Sequence, residues 1–329
     1  MKFLKYITIA LIGIAATACD DIENKEIVQP YTKSDLYYQN LRDYKASDHE
    51  ISFGWFAQYG PDHSYALRFM GLPDSLDICS LWGGVPDPGT ELEKEMRFVQ
   101  KVKGTKMTHV AFPIIENLPE DNEIRILWET GNSEEKDEAV RQYALYTADI
   151  VFNNDLDGHD SDFEPGGCGF ESRYLIFCKE LTKYMGPYVD GWTPEDRLEA
   201  IRERYGDEVA NKPGICDKMF LIDGPTWYIQ QYGATPYATW VICQAYNWTS
   251  ANASGIPEEK IVWTSNMGDD WAGTNPILYQ WANYEPAKGH KGGFGCFFMH
   301  RNYTITDSNP DPYYHFRRCI QICNPAIHK

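Results

Sequence analysis

Five carboxylates fall within ten residues, in the run Asp155-Leu156-Asp157-Gly158-His159-Asp160-Ser161-Asp162-Phe163-Glu164. On a β-strand alternate side chains share a face, so Asp160, Asp162 and Glu164 line one side. Three carboxyl groups in a row repel one another. That raises the pKa of at least one and destabilises the fold unless a reaction or a cation uses them. A protonated carboxyl beside ionised ones is the material of general acid–base chemistry. Two plainer readings stand beside it. A charge run is commonly a solvated loop. Alternatively, Asn153, Asp155, Asp157, Gly158 and Glu164 match positions 1, 3, 5, 6 and 12 of an EF-hand calcium loop. Against calcium, the first position is Asn instead of Asp, and Pro165-Gly166-Gly167-Cys168-Gly169 stands where the exiting helix would begin.

Such a row needs a rigid element to hold it. Short apolar runs recur at 51–57, 76–81, 108–115, 156–163, 218–222, 238–245, 260–265 and 293–300. Eight runs alternating with longer stretches predict an α/β chain folded as one (β/α)8 TIM barrel, with the acidic row on the fourth strand. Glu164 then comes last, where barrel strands deliver side chains to the catalytic face. Between the runs, Asn132 with Glu135 opens a helix over 134–152, and Thr193, Pro194 and Asp196 open another that stops at Gly206. A third is expected over 172–184, ahead of Gly186-Pro187. Asp223 follows the fifth run and either lines the cleft or forms an Asp-Gly turn. Trp55, Trp82, Trp248, Trp263 and Trp271 lie at or beyond strand ends, where flat rings stack on sugar faces or pack in the core.

The chain has 329 residues, 43% apolar and 14% aromatic, enough for a sizeable core, and a formal charge of −18. With no basic stripe, nucleic acid is excluded as a partner, and the acidity favours neutral ligands over polyanions. Residues 1–18 read as an export signal: two lysines, an apolar run too short to span a bilayer, then Ala16-Thr17-Ala18-Cys19. Cys19 resembles the lipidated cysteine of bacterial lipoproteins, which implies an outer-membrane lipid partner through the acylated Cys19. Asp20, Asp21, Glu23 and Glu26 resemble the acidic tether of surface-exported lipoproteins, with retention on the inner leaflet as the alternative. The expected layout is a signal peptide over 1–18, a tether over 19–48, a barrel over 49–305 and a C-terminal segment packed on it over 306–329. Eight further cysteines show irregular spacing without a CxxC pair, so neither a structural zinc site nor any other metal is expected, and several read as buried thiols.

The stretch Asp157 to Glu164 resembles the DGxDxDxE signature of glycoside hydrolase family 18, matched at every specified position. Members are (β/α)8 barrels that carry it on the fourth strand. The resemblance implies Glu164 as general acid and Asp162 as the group that holds and polarises a 2-acetamido group. The acetamido carbonyl oxygen then attacks the anomeric carbon to give an oxazolinium ion, so the nucleophile belongs to the sugar. Asp160 would hydrogen-bond Asp162 and share a proton with it, while Asp157 and Gly158 would be structural. Gln244-Ala245-Tyr246 is similar to the Gln-x-Tyr pair of the endo-β-N-acetylglucosaminidase branch, in which the tyrosine supports the acetamido oxygen and the glutamine contacts the core sugar. Chitinases usually show a Tyr-Asp pair there. The resemblance thus implies a retaining enzyme that needs no cofactor and cuts the β-1,4 bond of the di-N-acetylchitobiose core of N-glycans or glycoproteins, alongside other glycan-uptake proteins. A glycan-binding barrel without turnover and a chitinase are the alternatives. The family's Ser-x-Gly-Gly stretch on the third strand is replaced by Thr108-His109-Val110-Ala111, and its eighth-strand tryptophan is missing from Phe297-Phe298-Met299.

Overall fold

A computed structural model describes residues 33–325. Eight strands, β1 (Ile51–Phe56), β2 (Ile78–Leu81), β3 (Lys106–Ala111), β4 (Gly158–Asp162), β5 (Met219–Gly224), β6 (Trp240–Cys243), β7 (Ile261–Asn266) and β8 (Gly293–Phe297), close into a barrel. All eight neighbouring pairs are parallel, including β8 with β1. Each apolar run of the sequence holds one strand, and several runs overshoot. The third ends at Ala111 because Pro113 has no N–H for the ladder. The eighth ends at Phe297 because Phe298 turns to a φ of 51°.

The helices follow their local signals. Asn132 and Glu135 form a reciprocal capping box on Ser133–Asn153, and Thr193 with Asp196 does the same for Pro194–Tyr205, which stops at Gly206. Tyr174–Leu181 is shorter than the expected span of 172–184. The leader, Cys19 and most of the expected tether lie outside the described residues. Within that tether stretch, however, Asp35–Ala46 is a helix. Residues from Asn40 onward form one compact unit containing the whole barrel.

Two apolar layers follow from strand alternation. Phe53, Trp55, Ile78, Leu221, Ile242 and Val262 fill the barrel. The opposite phase, including Phe163, Phe220, Val241, Trp263 and Phe294, packs outward against the helices. On β4 the outward residues are pinned: Phe163 stacks on Tyr174 at 3.6 Å between centroids, and the Tyr174 hydroxyl donates to Ser161 Oγ at 2.9 Å. This fixes the register that turns Asp160, Asp162 and Glu164 inward, since a slip of one residue would exchange the faces. Gly158 is required where β4 meets β5, because a Cβ there would stand 2.3 Å from the Met219 carbonyl oxygen. On the C-terminal helix Tyr314–Cys323, Phe316 packs on Phe294, and the Cys319 and Cys323 thiols are free.

Candidate active site

The acids that precede β4 serve its packing, and those on it and just after it turn into the barrel. Asp157 accepts from the Met107 N–H at 2.9 Å and from Gln100 Nε2 at 2.7 Å, which ties β4 to its neighbours. Asp155 is paired with Lys101 at 2.9 Å. The extended strand carries Glu164 away from both, so the five EF-hand positions do not converge on one point.

Farther along, Asp160 is fully buried, and its Oδ2 accepts from Trp55 Nε1 at 3.0 Å and Ser80 Oγ at 2.7 Å. Asp162 is 3% exposed and pairs in register with Asp223 of β5. The Gln244 amide donates to Asp162 Oδ1 at 3.1 Å and to Asp223 Oδ1 at 2.6 Å. Glu164 is half-buried at the strand's end. Tyr246, in the turn that follows β6, packs against the apolar interior of the barrel near Trp55 and stacks on Phe297 at 6.0 Å.

Burial dominates the electrostatics. It pushes the Asp160 carboxyl up to about 6. Burial, then the charge of Glu164, pushes Asp162 up to about 7. Burial followed by the charges of Asp162 and Asp160 lifts Asp223 well above the usual carboxylate range, and burial also raises Glu164. Burial and the surrounding carboxylates raise the Tyr246 phenol, which stays a hydrogen-bond donor. The arrangement can hold a proton on Glu164 at the mouth, orient an amide against Asp162, and offer a phenolic O–H to a developing oxyanion.

The model of glycoside hydrolase family 18, BT1044-like, matches residues 19–295. The chain belongs to glycoside hydrolase family 18. No curated protein is similar enough to match it. Among solved structures, a selenomethionine form of a BT1044 variant has a TM-score of 0.64 at 21% identity, covering 88% of this chain and 93% of its own. The apo endo-β-N-acetylglucosaminidase from Cordyceps militaris has a TM-score of 0.59 at 18% identity, covering 90% and 98%. A mutant of that Cordyceps protein was solved with fucosyl-N-acetylglucosamine-Asn at the same TM-score and identity.

In this family 18 barrel, several residues stand elsewhere than the sequence suggested. Trp263 is fully buried in the outer layer, stacked on Trp281 at 5.1 Å, because it alternates with the inward Val262. Trp248 lies beside it at 6.2 Å and packs on the same outer core. Trp55 is 2% exposed: it fills the barrel beneath the site and acts as a donor to Asp160, not as a platform for sugar. Asp223, at 0% exposure, cannot touch substrate and forms no surface turn. Asp160 and Asp162 do not bond each other directly: Asp160 is held by Trp55 and Ser80, and Asp162 is linked through the Gln244 amide to Asp223. Trp82 remains at the mouth, against Phe112 and Phe297. Two contributors went unread. Ser80 holds Asp160, and Phe297 at the end of β8 packs against Trp55, Trp82 and Tyr246. Counting alternate residues along β2 and β8 would have pointed both inward.

A cavity of about 660 Å³ opens at the opposite end of the barrel, lined by strand-start residues such as Ile51, Ile78, Lys106, Met219 and Trp240. Asp155 and Asp157 border it, but Asp160, Asp162 and Glu164 do not, so it is separate from the inward row.

The raised carboxyls predict how stability depends on pH. They hold protons more tightly in the fold than in the unfolded chain, so stability falls as pH rises from the ordinary 3.8 of aspartate through the value of about 7 for Asp162. Asp162→Asn is expected to stabilise the protein by roughly 1–3 kcal/mol at about pH 8 and hardly at about pH 4, measured by thermal unfolding. Lower stability of the variant at the higher pH would contradict the buried-charge account.

Proposed function

We propose that the protein is a retaining endo-β-N-acetylglucosaminidase that cleaves the di-N-acetylchitobiose core of N-glycans. One observation carries this reading: Asp160, Asp162 and Glu164 form a single inward row, with Gln244 bonded to Asp162 and Tyr246 packed against the apolar interior of the barrel. Glu164 protonates the glycosidic oxygen and later takes the proton from water. Asp162 receives the acetamido N–H, which makes the carbonyl oxygen a better nucleophile toward the anomeric carbon. Tyr246 donates to that oxygen as charge moves through it. The oxazolinium ion that results retains configuration because water adds to the face left by the aglycone. Support for an endo-acting enzyme on N-glycans comes from Gln244 and Tyr246 together. The similarity to the Cordyceps endo-β-N-acetylglucosaminidase, a mutant of which was solved with fucosyl-N-acetylglucosamine-Asn, agrees with it.

The test is incubation with high-mannose, complex and hybrid N-glycoproteins, followed by mass identification of released glycans. Release ending in a single reducing N-acetylglucosamine is expected. Binding without release would leave a lectin-like barrel.

We also propose anchoring in the outer membrane through acylated Cys19, with the glycan substrate met at the cell surface. Cys19→Ala is expected to move the protein from the membrane fraction to the soluble one, since no helix among the described residues is long and apolar enough to cross a bilayer. Continued sedimentation with membranes would point to another anchor.

A further inference from the structure

The carboxyl cluster contains more acids than its donors can satisfy. Asp160 Oδ2 takes two donors, Trp55 and Ser80. The two amide hydrogens of Gln244 go to Asp162 Oδ1 and Asp223 Oδ1. Two buried oxygens are left without a donor, Asp160 Oδ1 and Asp223 Oδ2. Leaving a buried charged oxygen unpaired costs more than an ordinary hydrogen bond gains. β4 and β5 place Asp223 in register beside Asp162, on the inward face that Asp160 shares, and where two buried carboxyl oxygens approach one another only a proton makes the contact favourable. One hydrogen on Asp223 Oδ2, donated to Asp160 Oδ1, satisfies both orphan oxygens at once.

We infer that Asp223 is a positioning residue that stays protonated through the working pH range and carries the proton shared by the three aspartates. Three features place the proton there. Asp160 has two donors to stabilise its charge, whereas Asp223 has a single Gln244 hydrogen. Asp162 is next to the mouth, whereas Asp223 is wholly enclosed. The groups facing Asp223 are Asp160, Asp162 and, beyond them, Glu164 from the β4 side, Gln244 and Tyr246 from the β6 side, and the Tyr174 hydroxyl from behind. None is a cation. Among the described residues, no lysine or arginine forms an ion pair with these four carboxyls.

The consequence concerns Asp162. With Asp223 neutral and donating, the cluster carries fewer charges, and Asp162 can ionise as it turns to the acetamido N–H without first expelling a proton to water. The kinetic part of this inference rests on the proposed endo-glycosidase reading, while the location of the proton does not.

Infrared difference spectroscopy of the full chain at about pH 8 reads the proton directly, because a protonated carboxyl has a carbonyl band that a carboxylate lacks. The band is expected in wild type and in Glu164→Gln, and lost in Asp223→Asn. Its absence from wild type, or its survival in Asp223→Asn, would overturn the inference. Should Asp223→Asn fail to fold, carbon-13 aspartate spectra of the wild type serve instead. One carboxyl should keep its acid-form shift up to about pH 8, and titration of every aspartate below that value would refute the assignment. For turnover, Asp223→Ala is expected to lower kcat by about tenfold or more with KM changed less than about threefold. Asp223→Asn, which puts a neutral donor at the same point, should recover most of the loss and keep the acid limb of the pH profile. A limb displaced downward by about one pH unit or more would show that Asp223 is an anion in the wild type. If no glycan is cleaved by wild type, the proposed function fails, yet the infrared result still decides where the proton lies.

Discussion

Replacing Glu164 by Gln is expected to lower turnover by about 10²–10⁴-fold while glycan binding stays measurable. The substitution removes the most exposed acid of the inward row and hardly changes shape. The half-burial of Glu164 raises its proton affinity, which suits a group that must arrive protonated and leave as a base. The charge of Glu164 also raises Asp162, so Glu164→Gln should let Asp162 ionise at lower pH. Turnover and glycan affinity of purified variant and wild type check both parts. A variant that keeps more than about a tenth of wild-type activity would remove Glu164 from the role of acid.

Tyr246→Phe is expected to cost about 10²–10³-fold in kcat, with a smaller change in KM. The phenol lies among the carboxylates of the row, and burial together with their charges keeps its proton on. It therefore donates to whatever oxygen gains charge there. Its ring stacks on Phe297 and meets Trp55 edge-on, so phenylalanine should keep the packing and lose the O–H alone. Steady-state kinetics on one N-glycopeptide measure the effect. A loss confined to KM would assign Tyr246 to ground-state binding.

Much of this site was legible because its signals are local. The acidic row depends only on the two-residue repeat of a strand, and the apolar runs around it counted out eight strands in the right order. Capping residues Asn132 and Thr193 likewise act within four residues of themselves. What was misread depends on phase across the barrel. Trp55 and Trp263 look alike in sequence, yet Trp55 shares its face with Ile51 and Phe53 inside the barrel, whereas Trp263 alternates with the inward Val262. Ser80 reads as filler in Ile78-Cys79-Ser80-Leu81 until β2 places it beside an acid from β4. Asp223 is the clearest case. A lone Asp before Gly suggests a turn, and only the pairing of β5 with β4 and β6 shows it enclosed by two other aspartates and an amide.

The central claim is cleavage between the two N-acetylglucosamines of the core, and the intact mass of an N-glycoprotein after incubation tests it most directly. Wild type should leave one N-acetylglucosamine on each glycosylated asparagine, with its core fucose where present, and Glu164→Gln should leave the glycoprotein unchanged over the same period. An unchanged glycoprotein under wild type, with chitin oligomers degraded by the same preparation, would contradict the account.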